Sequence, residues 1–245
     1  NWSEVKRPNR IVDATDATIY EVHVRDVTID PSSGVSEKNR GNFLGLTEKG
    51  TKYTKGNTTV STGLDSIKEL GVTHVQLQPL YDYRTVDEAY DDLKYNWGYD
   101  PLNYNCLEGS YSTDPFDGLV RIKEFKQLIS TLSAEGLNVN LDVVYNHTAG
   151  SADTNFEYII PGYYHRMTPA GDFSDGSGCG NEMATENYMY RKFVVDSCKF
   201  WLGEYKVSGF RFDLMQLLDT TTMSKVYTEC KEIYNEVMVY GEPWK

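Results

Sequence analysis

Five short apolar, β-branched runs alternate with helical patterns along this chain, and the segments that join them are lopsided in length. The runs are "ATIYEVHVRDVT" (17–28), "VTHVQLQPLY" (72–81), "LNVNLDVVYN" (137–146), "VSGFRFDLM" (207–215) and "EVMVYGEPW" (236–244). Between them Ile122, Phe125, Ile129 and Leu132 fall on one helical face, as do Val194, Cys198, Trp201 and Tyr205. "STGLDSIKELG" opens with Ser/Thr caps and closes on Gly71 as a C-terminal cap. Strand alternating with helix predicts βαβ units around a parallel sheet. Long segments follow the first three runs, whereas those that precede a run are as brief as "LGV", "EGLN" and "YKVS". That asymmetry suits a barrel whose site lies at the C-terminal ends of its strands. A doubly wound open sheet shares the alternation, but it usually carries a glycine-rich phosphate turn after its first strand, and none stands here. The fold class expected is α/β, a (β/α)8 TIM barrel with about the first five βα repeats in this chain.

Composition narrows the partners. The chain has 245 residues and a net charge of −12, without the clustered basic patch that nucleic acid requires. No apolar run reaches the roughly 18 residues of a membrane span, so none is expected. Four cysteines lie far apart with no CxxC pair, which argues against a zinc knuckle and leaves the redox compartment open. Nineteen tyrosines and four tryptophans suit core packing, and they also suit sugar rings, whose C–H faces stack on aromatic planes.

Polar residues gather at the ends of the runs: His23, Arg25 and Asp26 at the first, Asp142, Asn146 and His147 at the third. Arg211 and Asp213 stand on the fourth, Glu242 on the fifth. Residues two apart on a strand share a face, so Arg211 and Asp213 point together into the barrel mouth while Phe210, Phe212 and Leu214 point to the helices. Alone, that pair reads equally well as a buried ion pair in any α/β protein. Glu242 at the end of the next run supplies a second carboxylate. Retaining glycosidases need two carboxyl groups about 5–5.5 Å apart, and neighbouring strands lie about 4.8 Å apart. Arg211 would keep Asp213 ionised as a nucleophile, and an apolar rim of Pro243 and Trp244 would help keep Glu242 protonated as an acid. Asn146-His147-Thr148 matches a glycosylation acceptor, but its place inside the mouth argues against that use. Asp142 and Asn146 have oxygens of the kind calcium takes; spacing alone does not bring them together, and no cofactor is expected.

The set "DVVYNH", "GFRFDLM" and "YGEPW" resembles the first three signature regions of the α-amylase superfamily, and "YNWGYDP" (95–101) resembles the heptapeptide of type I pullulanases. The similarity runs from about Ile19 to Trp244. The resemblance implies Asp213 as the nucleophile, Glu242 as the acid/base and Arg211 as the group that orients and ionises Asp213. It implies that His147 hydrogen-bonds the sugar hydroxymethyl group and that Tyr99 stacks beneath the ring, with Asp100 and Asn146 shaping the site. The implied reaction is retaining hydrolysis of α-1,6 branch links in pullulan, amylopectin or limit dextrins. The implied partners are a branched α-glucan, the remainder of the barrel and flanking β-sandwich modules.

Departures from the family are Gln216, where glycine is common, and Cys106-Leu107, where Val-Pro is usual. The fourth signature region, which brings a histidine and a third catalytic aspartate, has no match. Residues 1–245 therefore read as a catalytic (β/α) barrel domain truncated after strand five, incomplete and inactive by itself. An isoamylase-like or other α-amylase superfamily enzyme, or a non-catalytic α-glucan-binding relic, are the alternative readings. Large glucans do not cross membranes, so the expected location is extracellular or at the cell surface.

Overall fold

The computed structural model describes residues 1–8, 13–89 and 94–244. Its strands are β1 (Ile19–Val22), β2 (Lys52–Lys55), β3 (Thr58–Ser61), β4 (His74–Leu77), β5 (Tyr81–Tyr83), β6 (Pro101–Leu107), β7 (Asn138–Val143), β8 (Gly209–Phe212) and β9 (Met238–Gly241). The helices are α1 (Gly63–Glu69), α2 (Gly118–Ala134), α3 (Asn155–Ile159), α4 (Tyr188–Tyr205) and α5 (Thr220–Ile233). One parallel sheet runs β1-β4-β7-β8-β9, with antiparallel pairs β2-β3 and β5-β6 outside it. Neighbours in the sheet follow chain order without reversal. A doubly wound sheet reverses that order at its switch point, so the winding is that of a barrel. Helices α1, α2, α4 and α5 each precede the next sheet strand, giving four βα crossovers and a fifth strand.

The period of two along each strand separates two chemistries. On β7, Val139, Leu141 and Val143 alternate with Asn138, Asn140 and Asp142, and all six are buried. The apolar set joins a core with Phe125, Leu128, Ile129 and Leu132 of α2 and Val194, Cys198, Trp201 and Tyr205 of α4. The polar set lines the inside of the barrel. There Asn140 Nδ2 donates to the Tyr240 hydroxyl (3.3 Å), Tyr240 donates to Gln76 Oε1 (2.8 Å) and Gln76 Nε2 donates to Glu21 Oε2 (2.7 Å). Four strands are stitched together by side chains across their concave face.

The structure shortens every run. The first ends at Val22, whose carbonyl takes its last ladder bond from Gln78 N (2.9 Å). Beyond it Pro79 has no N–H to offer, so Val24 to Thr28 coil into turns instead of extending the strand. The same proline divides the second run into β4 and β5, and β5 pairs with β6 rather than with the sheet. Gly71 takes a left-handed conformation (φ 70) after α1, as its capping role requires. Thr62, at the start of α1, makes no side-chain cap; its hydroxyl is drawn to Ser33 O instead. Leu214 also departs from expectation. It lies past β8 with φ 41, only half-buried, and does not join Phe210 and Phe212 against the helices. Gln216 sits exposed in the short 3-10 turn Met215–Leu217, where its backbone has no positive φ and glycine is not needed.

Candidate active site

Two ladder bonds continue past the last sheet residues and fix the carboxylates. Asp213 N donates to Val143 O (3.0 Å) and Glu242 N donates to Phe212 O (3.0 Å), so each acid stands one position beyond its strand. The left-handed turn at Leu214 then brings Met215 N onto Glu242 O (2.9 Å), tying the two strand ends together. A non-glycine residue in that conformation is strained, and here it is held from both sides.

Arg211 faces inward from β8, two residues before Asp213. Its Nη1 donates to Asp142 Oδ1 (2.9 Å) and Asp213 Oδ1 (3.2 Å), and its Nη2 meets Glu242 Oε2 (2.9 Å). One guanidinium thus serves three carboxylates at the ends of three adjacent strands. Burial acts to lower the Arg211 pKa, but attraction to Asp142 and Glu242 outweighs it and the net direction is upward. Asp142 has no exposed surface, and burial raises its pKa to about 7 against the pull of Arg211 and the Tyr99 hydroxyl (2.8 Å). The Tyr99 pKa goes up, first from burial and then from the charge of Asp142.

Asn146 Nδ2 donates to Asp213 Oδ2 (2.8 Å) and to Asp213 O (3.0 Å). Both Asp213 side-chain oxygens therefore accept from donors, the pattern of a carboxylate. His147 lies between Asn146 Oδ1 (2.6 Å from Nδ1) and Tyr99 O (2.8 Å from Nε2). Burial lowers the His147 pKa, with the Tyr99 carbonyl and Asp213 opposing it. Asp142 and Asn146 spend their polar atoms on Arg211, Tyr99, His147 and Asp213, so the oxygens of the kind calcium takes are engaged within the protein. Asn146 is only 1 % exposed, so the glycosylation-like Asn146-His147-Thr148 sequence faces inward.

The segment 95–101 forms the opposite wall. Gly98 has φ 94, and a Cβ there would collide with Pro79 O, so this position accepts glycine alone. Asp100 receives Asn96 Nδ2 (2.7 Å) on one oxygen and Thr85 N (3.0 Å) on the other, which shapes the wall behind Tyr99. His23, placed near the site by its strand, holds the same wall: its Nε2 bonds Asn96 O (2.9 Å) and Tyr111 OH (3.1 Å). Asp26 accepts from the Tyr95 hydroxyl (2.6 Å). Asp213, Glu242, Arg211, Tyr99, His147 and Asn146 are thus linked by direct contacts, and Asp100 stands behind them. The apolar rim expected around Glu242 does not form; Pro243 and Trp244 are exposed, and Glu242 is paired with Arg211. Asp142 as the main partner of Arg211 was not foreseen, although the polar alternation Asn138-Asn140-Asp142 was its signal.

Residues 48–160 match the family described as "Alpha amylase, catalytic domain". The chain is 44 % identical to a pullulanase of Bacillus subtilis (strain 168) over 229 residues, which is 94 % of this chain and 31 % of that protein. It is 39 % identical to pullulanase A of Streptococcus pneumoniae serotype 2, covering 94 % of this chain and 18 % of that one. The chain thus spans about a third, or less, of the length of these curated relatives. A crystal structure of a Paenibacillus barengoltzii pullulanase, in complex with maltohexaose and α-cyclodextrin, superposes with a TM-score of 0.94 at 48 % identity, over all of this chain and 37 % of that one. With its unreversed parallel sheet and its carboxylates at adjacent strand ends, the chain has the fold of the matching portion of an α-amylase-type barrel and resembles type I pullulanases along nearly all of its length.

Proposed function

We propose that this chain carries the nucleophile and the acid/base of a retaining glycoside hydrolase that cleaves α-1,6-glucosidic branch links in pullulan, amylopectin or limit dextrins. The supporting observation is the Arg211 guanidinium, which holds Asp213 and Glu242 at the ends of neighbouring strands. In this reading Asp213 attacks the anomeric carbon while Glu242 gives its proton to the leaving oxygen; Glu242 then takes a proton from the water that releases the sugar. Arg211 and Asn146 aim the two oxygens of Asp213. To act as an acid Glu242 must release Arg211, so that pair is a resting contact which the bound glucan displaces. Tyr99 lies under the sugar ring, His147 meets its hydroxymethyl group, and Asp100 keeps the wall in place. The remaining partners are the rest of the barrel and flanking modules, and residues 1–245 lie within the catalytic barrel domain. A polymeric substrate places the protein outside the cell or on its surface.

The test is maltotriose release from pullulan by a protein carrying this chain with the other strands of the barrel. Asp213→Asn is expected to lower kcat by about a thousand-fold or more with the fold unchanged by circular dichroism. Undiminished release by that variant would remove Asp213 from the reaction.

A further inference from the structure

The segment 145–148 carries Asn146 and His147, and its backbone is gripped from outside the sheet at every carbonyl. Tyr145 O accepts from the Tyr190 hydroxyl (2.9 Å), Asn146 O from Met183 N (2.8 Å) and His147 O from the Tyr104 hydroxyl (2.5 Å). Asn181 reads both backbone groups of Thr148: its Nδ2 donates to Thr148 O (2.9 Å) and its Oδ1 accepts from Thr148 N (3.0 Å).

The Thr148 side chain leads to a buried pair that the proposed reaction does not use. His165 is 1 % exposed, with Nε2 at 2.8 Å from Thr148 Oγ1 and Nδ1 at 2.7 Å from Glu157 Oε1. Proton positions follow from the neighbours. Thr148 Oγ1 lies 2.6 Å from Gly150 O and 3.1 Å from Asn181 Oδ1, both acceptors, so its single proton points to them. Its lone pair must then take a proton from His165 Nε2. On the other side Glu157 accepts Gly162 N (2.8 Å) on Oε2 and presents Oε1 to Nδ1. With Glu157 ionised the ring has an acceptor on each side, and both of its nitrogens then carry hydrogen. Arg166, next in the chain, is turned to Glu186 (2.9 Å) and Glu182 (3.7 Å), while Phe173 meets the ring edge-on (5.3 Å between centroids). Glu157 is therefore the carboxylate that bonds the ring directly.

We propose that His165 and Glu157 form a buried imidazolium–carboxylate pair that positions His147 and Asn146 by fixing Thr148. His165 is a positioning residue in this account, and its link to catalysis rests on the function proposed above. His147 also faces two acceptors, but neither is a carboxylate, and burial outweighs the pull of Asp213 so that its pKa is lowered.

Long-range proton–nitrogen correlation of the imidazole rings at neutral pH tests the pair in this chain, with the His165 signals assigned by their loss in His165→Gln. Both His165 nitrogens are expected to show protonated shifts. Glu157→Gln keeps a hydrogen bond to Nδ1 by offering an amide donor, and is expected to turn the ring neutral and to move the His147 signals while those of His23 stay in place. A neutral His165 ring in the unmodified chain, or unmoved His147 signals in Glu157→Gln, would overturn the proposal. In a protein with the complete barrel the same variant is expected to lower kcat/KM on pullulan about ten-fold, the scale of a slightly misplaced group; unchanged kcat/KM beside normal wild-type activity also overturns it. Should the unmodified protein cleave no pullulan, the failure falls on the functional reading, and the spectra decide the pair.

Discussion

Asp142 is the residue at which burial and charge oppose each other most openly. Its folded-state pKa of about 7 lies above the ordinary carboxylate value of 3.8. The native protein thus holds this proton more tightly than the unfolded chain does, so the contribution of Asp142 to stability is greatest below about pH 4 and declines as pH rises through about 7. Three pKa units amount to about 4 kcal/mol. Urea titrations from pH 4 to 8 are expected to show Asp142→Asn gaining on the unmodified chain by up to that amount as pH rises; parallel profiles would mean that Arg211 compensates the charge throughout. The meeting of the candidate residues was largely legible in the sequence because strand period and strand order place Arg211, Asp213 and Glu242 together. Their partners were not equally legible. Glu157 stands on the five-residue α3, and His165 and Asn181 lie in the loop beyond it; these pieces are too short or irregular for periodicity, and only the folded chain shows that they converge on Thr148. The ion pair that Glu242 makes also escaped the sequence, since the exposure of Pro243 and Trp244 depends on what packs above them.

Among the elements, α4 shows how the core is secured. Trp201 is fully buried, stacked on Tyr81 (5.3 Å, 21°) and on Tyr205 (4.9 Å, 28°), and met edge-on by Phe125. Its indole Nε1 is buried without a hydrogen-bond partner. Two effects can be separated there by thermal unfolding. Trp201→Ala is expected to lose about 3–5 kcal/mol by opening a cavity, whereas Trp201→Phe leaves a smaller void and removes the stranded N–H, so its loss is expected to be well under half as large. Equal losses would show that the size of the void does not set the cost at this position. The stripe of α4 was readable because it spans 18 residues with four apolar positions in register. Helix α5 was not read: its buried set is Thr222, Met223, Val226 and Cys230, too short and too polar to stand out. The β5-β6 pair was hidden for another reason, since β6 begins at Pro101 and its register with β5 slips twice.

At the scale of the whole molecule, the sheet has two free sides. Among the described residues no strand pairs with the outer edge of β1 or of β9, and Ile19 and Tyr20 on β1 are 37 % and 43 % exposed. Unpaired edges invite pairing with other strands. Sedimentation velocity of this chain is expected to show mass rising with concentration, and Tyr20→Lys is expected to suppress the rise; a constant mass would mean that both edges are shielded. Among the described residues no helix is long and apolar enough to cross a membrane.

The ladder between β8 and β9 also sets a schedule. Arg211, Asp213 and Glu242 belong to one strand-helix-strand unit, while Tyr99, Asp142 and His147 precede it in the chain. On a ribosome, which releases the N-terminal part first, the wall built on residues 95–101 is laid down before either carboxylate appears. Asp213 then arrives without its companion, and Glu242 joins it only when β9 zips onto β8. The two acids proposed for catalysis therefore share a site only once that last seam closes, and the timing comes from the order of the strands alone.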